Sequence, residues 1–326
     1  MIKDSFGRVH DYLRISLTDN CNLRCFYCMP DEDHQSLQSS KLMQAAEINQ
    51  LAELFVREGV TKIRLTGGEP LVRKDASQII SSLSRLPVQL TLTTNGVRIH
   101  EHMDTLKNSS IHSVNVSLDT LHADKFQLLT RRNLFQQVTD NIALLIRHHI
   151  HVKVNVVVMK GINEAEINDF IEWTKDQPVH VRFIEFMPFS GNHWKSASVF
   201  TLKEILQEAA KRYSFIPLKG HPNDTAKAFQ AEGHTGTFAV ISTMSEPFCA
   251  GCNRMRLTAD GKLKNCLFSK EETDLLSPLR EGKEVTALIH DTIYKKAKEL
   301  GGQFSAAYEN LEPDAIHNRS MIAIGG

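Results

Sequence analysis

The segment YLRISLTDNCNLRCFYC, residues 12–28, joins a strand-like run to three closely spaced cysteines. Its first seven residues are rich in Ile, Leu and Thr, as β-strands are. Further strand-like runs occupy residues 62–66, 89–94, 112–118, 151–159 and 180–187. Stretches with helical apolar spacing lie between these runs, at residues 45–59, 75–86, 133–149 and 164–176. We therefore expect an α/β fold with parallel strands and right-handed crossovers. The pattern fits a barrel-like arrangement and an open doubly wound sheet equally well.

The alternation changes after about residue 200, where one helix is followed by short strands and a Glu- and Lys-rich helical stretch over residues 270–300. This part is predicted to form a smaller α+β region. The segment HPNDTAKAFQAEGHTG, residues 221–236, shows no clear period and is interpreted as a linker or an active-site loop. We therefore divide the chain into a core of residues 5–225 and a C-terminal region of residues 226–326.

The composition is that of an ordinary globular protein, with 41% hydrophobic and 23% charged residues. Lys plus Arg and Asp plus Glu number 38 each, so no overall field attracts nucleic acid or anionic lipid. An anionic substrate must then be held by locally placed cations. The N-terminus lacks a secretory signal, and no apolar stretch is long enough to span a membrane. We expect a cytoplasmic protein with no nucleic-acid or membrane partner.

All six cysteines fall into two triads, which are Cys21, Cys25, Cys28 and Cys249, Cys252, Cys266. In a reducing compartment, cysteines grouped in this way are more often metal ligands than members of disulfides. Each triad is one ligand short of a closed four-cysteine site, which leaves a coordination position open. The CxxxCxxC spacing of the first triad favours an iron–sulfur cluster over zinc, for which only His34 could be a fourth ligand. For the second triad, spacing alone leaves zinc and a cluster equally good.

CNLRCFYC, with Tyr27 before its last cysteine, resembles the signature of radical S-adenosylmethionine enzymes. Motifs along the rest of the chain sharpen this resemblance to the GTP 3′,8-cyclase family of molybdenum cofactor biosynthesis. These motifs are KIRLTGGEPLVRKD (62–75), LTTNG (92–96), VNVSLD (114–119), KVNVVVMKGIN (153–163), RFIEFMP (182–188), PFCAGCNRMRLTADGKLKNCLF (247–268) and MIAIGG (321–326).

The resemblance implies an incomplete (β/α)6 TIM-like barrel of the radical S-adenosylmethionine type, with the smaller C-terminal α+β extension closing the barrel mouth. It also implies a [4Fe–4S] cluster on each triad and S-adenosylmethionine as a further cofactor. The implied cofactor-binding residues are Tyr27, Gly68, Ser117 and Met187. Gly68 is expected to leave room for the cofactor, because a side chain there would occupy the ligand's space.

The implied substrate is GTP. The resemblance implies that a 5′-deoxyadenosyl radical takes hydrogen from ribose C3′ and that the carbon radical then adds to C8 of guanine. Reduction by one electron and protonation would then give 3′,8-cyclo-7,8-dihydro-GTP. The resemblance implies Arg254 and Arg256 as catalytic residues that also bind GTP, and Arg182 is expected to face the cavity. The other implied GTP contacts are Arg14, Arg64, Thr93, Lys153 and Met255.

Implied partners are a low-potential electron donor and, functionally, the downstream cyclic pyranopterin monophosphate synthase, with the chain a monomer or a homodimer. The terminal Gly325-Gly326 is expected to thread into the cavity, which a tail without side chains can do. Two alternatives stand beside this interpretation. One is another radical enzyme with an auxiliary cluster that acts on a peptide or nucleotide, and the other is a non-catalytic regulator that depends on zinc or a cluster.

Overall fold

A row of parallel strands forms the centre of the computed structural model, which describes residues 1–28, 36–304, 307–312 and 316–325. All six predicted strands form, and consecutive strands pair in parallel. They are β1 (Tyr12–Ser16), β2 (Lys62–Thr66), β3 (Gln89–Thr94), β4 (Ile111–Ser117), β5 (Val152–Val158) and β6 (Val179–Glu185). Because the spatial order follows the chain without reversal, the winding is that of a barrel and not of a doubly wound sheet.

Helices cover the outer face of these strands. They are α1 (Ala45–Arg57), α2 (Ala76–Leu83), α3 (Met103–Asn108), α4 (Ala123–Thr130), α5 (Phe135–Arg147), α6 (Ile167–Trp173) and α7 (Leu202–Ala210). Their apolar stripes supply the core, as Ile48, Leu51 and Phe55 do in α1. The short helices α3 and α4 were not predicted, because so few turns carry little periodic signal. Among the described residues, no helix combines the length and apolar character that crossing a membrane requires.

The C-terminal strands extend the sheet at both edges. They are β7 (Phe215–Pro217), β8 (Lys227–Ala231), β9 (Thr237–Ile241), β10 (Arg254–Leu257), β11 (Lys262–Lys264) and β12 (Thr273–Asp274). β9 pairs in parallel with β6, and β10 pairs in parallel with β1. The remaining pairs at the two edges are antiparallel. The resulting twelve-stranded sheet is open, which confirms the incomplete barrel with its C-terminal α+β extension.

One sequence-based expectation for the C-terminal region was wrong, and another was correct only in part. The predicted linker over residues 221–236 contains β8, whose Phe229 stacks on Phe238 of β9 with ring centroids 5.4 Å apart. Packing against its neighbours therefore stabilises a strand that its own sequence signals weakly. The predicted helical stretch 270–300 is divided into α8 (Leu276–Arg280) and α9 (Thr286–Tyr294). A last helix, α10, spans Met321–Ile324.

Side chains alternate between the helix-covered outer face and the space inside the barrel, which we call the lumen. In β5, Val152, Val154 and Val156 are buried on the outer face, whereas Lys153 and Asn155 face the lumen. The same alternation holds along the neighbouring strands. Charged residues that interrupt apolar runs in the sequence are thereby collected on one interior surface.

The pairing of β9 with β6 predicts that both parts of the chain unfold together. Phe238 is fully buried and its ring contacts Phe183, Phe215 and Phe229. We expect Phe238→Ala to lower the free energy of unfolding by about 3–5 kcal/mol, because it removes this packing and leaves a cavity. Chemical denaturation followed by circular dichroism measures the loss, with exposed Ile216→Ala as the control. Two separate transitions, or equal losses in the two variants, would contradict this junction.

Candidate active site

The first cysteine triad occupies the loop after β1. Cys21, Cys25 and Cys28 are partly buried thiols, and none of them is in a disulfide. Burial raises the pKa of all three, to about 11 at Cys21 and about 12 at Cys28. At Cys25 and Cys28 the neighbouring thiols raise the pKa further. A bound cationic centre would let all three lose their protons together.

The CxxxCxxC spacing of this donor set is typical of an iron–sulfur cluster. Within residues 1–28, 36–304, 307–312 and 316–325, no three His, Cys, Asp or Glu side chains converge closely enough to hold one metal ion. A cubane binds its cysteines at different iron atoms, so its ligands stand further apart than those of zinc. His34, the possible fourth zinc ligand, lies outside the described residues.

Close backbone packing explains the two glycines that follow β2. A Cβ atom at Gly67 would lie 2.7 Å from the carbonyl oxygen of Thr18, and one at Gly68 would lie 2.5 Å from that of Asn20. The amide of Gly68 also donates to Thr18 O at 2.6 Å. The glycines thus hold the start of the cysteine loop in place. Protein backbone occupies the space that we expected the cofactor to need, and a contact between Gly68 and the cofactor remains a prediction.

Glu69, which sequence reasoning missed, connects this glycine turn to the first triad. Its buried carboxylate accepts hydrogen bonds from Thr94 Oγ1 at 2.8 Å and from the amide of Asn95 at 2.6 Å. Asn95 Nδ2 in turn lies 3.6 Å from Cys21 Sγ, to which it donates. Burial raises the pKa of Glu69 to about 7. The only signal in the sequence was the acidic residue in TGGEP, directly after the two glycines.

Tyr27 and Asp119 form a buried pair beside the first triad. The Tyr27 hydroxyl donates to Asp119 Oδ2 at 2.5 Å, and the amide of Val157 donates to Asp119 Oδ1 at 2.8 Å. Burial raises the pKa of Asp119 to about 6. Ser117 ends β4 and lies opposite Asn155 on the lumen side. Asp119 was not predicted, although it lies in the VNVSLD motif, and it fixes the position of the Tyr27 ring.

Met187 lies in the loop that follows β6. Its carbonyl oxygen accepts a hydrogen bond from Asn192 Nδ2 at 2.9 Å, so a side chain of the same loop holds its main chain. A cavity of about 840 Å³ opens beside this loop and is lined by residues 189–196, Leu311 and residues 316–318. The four predicted cofactor-binding residues therefore gather at the C-terminal ends of the strands, where barrel active sites are expected.

The second triad lies around β10 and β11. Cys249 and Cys252 precede β10, and Cys266 follows β11. Burial by itself raises the pKa of Cys252, but the positive charges of Arg254 and Lys296 outweigh it and lower that pKa to about 6. Lys296 Nζ also donates to Cys252 Sγ at 3.3 Å. The thiolate form that binds a metal is therefore favoured at Cys252.

The strand pair β1 and β10 separates the two triads. Cys252 precedes Arg254, which pairs with Tyr12 at the start of β1. Cys21 follows Ser16, where β1 ends. A five-residue strand spans about 16 Å, so the lumen between the triads is long enough for a molecule the size of a nucleotide. The site therefore extends from the C-terminal ends of the strands, through the lumen, to the N-terminal end of β1.

Cationic side chains line the lumen between the triads. The strand register places Arg14 beside Arg64 on one side and beside Arg256 on the other. Lys62, which was not predicted, has its Nζ 5.0 Å from the centre of the Tyr12 ring. Cations on the inner faces of these strands include Arg14, Lys62, Arg64, Lys153, Arg182, Arg254 and Arg256, and Lys264 of β11 lies beside Arg256 with Glu272 as its partner. A chain without net charge thus concentrates positive charge in one place.

These buried charges oppose one another. Burial and the charge of Arg182 lower the pKa of Lys153 to about 8, and burial and Arg64 lower that of Arg182 to about 9. Two buried side-chain atoms of lumen residues, Arg182 Nε and Asn115 Oδ1, have no hydrogen-bond partner. A polyanion that also carries polar groups would relieve both conditions.

Thr93 and Met255, both predicted to contact substrate, face opposite sides of the sheet. Thr93 Oγ1 accepts a hydrogen bond from Arg64 Nη1 at 3.2 Å in the lumen. Met255 is fully buried in the apolar core of the outer face. Because side chains alternate along β10, Arg254 and Arg256 face the lumen and Met255 does not. A contact between Met255 and substrate can therefore involve only its main chain.

The C-terminal tail enters the lumen. The carbonyl oxygen of Gly325 accepts a hydrogen bond from Arg256 Nη1 at 2.9 Å. A Cβ atom at Gly325 would lie 2.7 Å from Cβ of Ser16 and 2.9 Å from Oγ1 of Thr66, so only glycine fits there. Ahead of the tail, Arg319 pairs with Asp260 at 2.9 Å. Gly326, the other half of the predicted tail, lies outside the described residues.

The chain matches two families along its length. Residues 15–174 match the Radical SAM superfamily, and residues 179–301 match the family described as Molybdenum Cofactor Synthesis C. Among solved structures, the chain resembles SuiB of Streptococcus suis bound to S-adenosylmethionine. The TM-score is 0.65 at 13% identity, over 89% of this chain and 69% of that one, which is a likeness of fold. The boundary that we placed at residue 225 remains a prediction.

Curated relatives cover the whole chain. It is 46% identical to the mitochondrial GTP 3′,8-cyclase of Arabidopsis thaliana, over 100% of this chain and 84% of that protein. It is 40% identical to the GTP 3′,8-cyclase of Listeria monocytogenes, over 100% and 99%. Against molybdenum cofactor biosynthesis protein 1 of Drosophila melanogaster it is 42% identical over 97% of this chain, but spans only 57% of that longer protein. By this similarity over its full length, together with its radical S-adenosylmethionine fold, the chain belongs to the GTP 3′,8-cyclase family.

Proposed function

We propose that this chain is a GTP 3′,8-cyclase, which converts GTP into 3′,8-cyclo-7,8-dihydro-GTP in the first step of molybdenum cofactor biosynthesis. The observation that carries the proposal is the placement of two three-cysteine sites at opposite ends of one cation-lined lumen. A cofactor held at one end and a nucleotide held from the other would meet between them. As a radical S-adenosylmethionine enzyme, the chain uses an iron–sulfur cluster and S-adenosylmethionine.

At the first site, Cys21, Cys25 and Cys28 would hold a [4Fe–4S] cluster and leave one iron for S-adenosylmethionine. When bound and reduced, this cluster supplies the electron that cleaves the cofactor to a 5′-deoxyadenosyl radical. The contribution of the chain is to orient the cofactor. Tyr27 is suited to this role because its hydroxyl is held by Asp119. The other proposed cofactor contacts are Gly68, Ser117 and Met187.

At the second site, Cys249, Cys252 and Cys266 would hold a second [4Fe–4S] cluster whose open iron binds the guanine ring. Thiolate at Cys252 is favoured there by neighbouring cations. Arg254 starts β10 two residues after Cys252, and its guanidinium lies over the Phe248 ring, 4.9 Å from the ring centre. The guanine would thus be fixed at the N-terminal end of β1.

The lumen would bind the remainder of GTP. Its triphosphate carries several negative charges, which match Arg14, Arg64 and Lys153, with the Thr93 hydroxyl beside Arg64. Lys62 and Arg182 add to the same surface. These contacts would hold the ribose between the triads, so that its C3′ hydrogen meets the adenosyl radical and C8 lies within reach of C3′. A nucleotide fixed at both ends also leaves little room for water or side reactions.

Arg254 and Arg256 are the proposed catalytic residues. Both face the lumen, where their charges would polarise the nucleotide while it reacts. Arg256 already donates to the carbonyl oxygen of Gly325. Gly325 would therefore lie against the substrate, held there by the same arginine.

The proposed partners follow from the reaction. A low-potential electron donor would reduce the clusters, and cyclic pyranopterin monophosphate synthase would consume the product. A monomer or homodimer and a cytoplasmic location remain predictions, and the Arabidopsis relative is named as mitochondrial. The alternative of a radical enzyme that acts on a peptide is not favoured, because the cation-lined lumen matches a polyphosphate better than a peptide.

Cys252→Ala tests the division of roles between the triads. This change removes a ligand from the second site only. We therefore expect the variant to bind about half as much iron as the parent and to lose conversion of GTP. Cleavage of S-adenosylmethionine to 5′-deoxyadenosine should continue. Anaerobic reconstitution, iron analysis and chromatography of the products measure all three.

Cys21→Ala is the matched control and should abolish cofactor cleavage instead. Retained GTP conversion in Cys252→Ala would contradict the proposed second site. Zinc without iron at that triad would do so as well.

The lowered pKa of Lys153 predicts that the affinity for GTP depends on pH. With a pKa of about 8, this lysine is charged below that pH and progressively neutral above it, and a bound triphosphate would restore the charge. The affinity for GTP should therefore fall as pH rises from about 7.5 to 9. The contribution of Lys153 to this fall is at most tenfold per pH unit. Equilibrium binding without S-adenosylmethionine measures it. Lys153→Arg, which keeps its charge, should show a weaker decline, and identical declines would show that Lys153 does not contact the anion.

A further inference from the structure

A lysine ammonium is buried beside the second cysteine triad. Lys296 follows α9 and is only 3% exposed. Its Nζ donates to Cys252 Sγ at 3.3 Å and to the carbonyl oxygen of Arg254 at 2.9 Å. A buried ammonium is costly unless its charge and its hydrogen-bond donors are matched. Here one acceptor is a neutral carbonyl, so the sulfur is the partner that can match the charge.

Hydrogen bonds hold the segment that carries Lys296 against this triad. Its residue Leu300 donates its amide to Cys249 Sγ at 3.5 Å. Arg8 donates to the carbonyl oxygens of Cys249 and Lys298, each at 2.8 Å. Two of the three cysteines therefore receive N–H···S hydrogen bonds from residues 296–300, and Arg8 ties that segment to the cysteine loop.

The first triad is surrounded differently. Among the described residues, the donors to Cys21 Sγ are the amide of Leu23 at 3.4 Å and Asn95 Nδ2 at 3.6 Å, and both are neutral. Arg24, the cation that acts on Cys21, donates to the carbonyl oxygens of Cys21 and Leu23 instead. The carboxyl groups of Glu69 and Asp119 lie nearby and act on the first triad's thiols. A full positive charge at hydrogen-bond distance from a ligand sulfur thus distinguishes the second site from the first.

We infer that Lys296 raises the reduction potential of the iron–sulfur cluster proposed to be held by Cys249, Cys252 and Cys266. This inference rests on the proposed function, which places a cluster there. Reduction adds negative charge to a cluster, and a fixed cation beside a ligand sulfur stabilises the reduced form more than the oxidised form. Hydrogen bonds to the sulfurs of a cluster act in the same direction. Lys296 is a positioning residue that acts through Cys252 and is not proposed to touch substrate.

The test measures the potential of the second cluster alone. In the full chain, Cys21, Cys25 and Cys28 are replaced by Ala, and the remaining cluster is titrated anaerobically while electron paramagnetic resonance follows its reduced form. Lys296→Met in this background should lower the ratio of reduced to oxidised cluster about tenfold at a fixed solution potential, or about 59 mV for one electron. Lys296→Arg, which keeps the charge, should stay close to the parent.

Two further variants keep the test decisive. Lys298→Met removes an equal charge from an exposed side chain two residues away, and should leave the potential unchanged. Lys296→Gln keeps a donor without the charge, and replaces Lys296→Met if that variant does not load iron. A Gln or Met variant with the potential of the parent would overturn the inference. Failure of the parent to form any cluster would overturn the proposed second cluster as well, and iron analysis of the parent distinguishes these two failures.

Discussion

The parallel pairing of β1 with β10 is the constraint on which the rest of the site depends. It aligns Tyr12 with Arg254 and Arg14 with Arg256, although more than 240 residues separate the partners in the chain. The loop after β1 carries the first triad, and the loop before β10 carries two cysteines of the second. One strand register therefore sets the distance between the two sites and aims the arginines of both strands into the same lumen. Without it, the two triads would be unrelated metal sites.

The lumen explains how a chain without net charge can select a polyanion. Hydrophobic side chains on the outer face stabilise each strand, and the alternate positions are then free to carry Arg and Lys toward the interior. Burial of these cations and their mutual repulsion are costs to the folded state, and together they lower the pKa of Lys153 and of Arg182. A bound triphosphate would remove that cost. The site is thus less stable than a neutral one would be until its ligand arrives.

Strand positions and the cation surface could largely be predicted from the sequence, because periodic apolar runs show which residues share a face. The edge strand β8 could not, since its stability comes from stacking of Phe229 on Phe238. Sequence alone also did not show that the side chain of Met255 lies in the core between two lumen-facing arginines. Glu69 and Lys296 escaped sequence reasoning for a shared reason. Their partners, Asn95 and Cys252, are distant in the chain, and no local pattern reveals such contacts.

The central claim is that GTP lies between the two triads with its ribose C3′ facing the bound S-adenosylmethionine. Turnover of GTP deuterated at C3′, with 5′-deoxyadenosine analysed by mass spectrometry, tests this most directly. The account predicts that deuterium from C3′ appears in 5′-deoxyadenosine and is lost from the cyclised nucleotide. Deuterium retained at C3′ with unlabelled 5′-deoxyadenosine would contradict it, because another hydrogen would then face the radical.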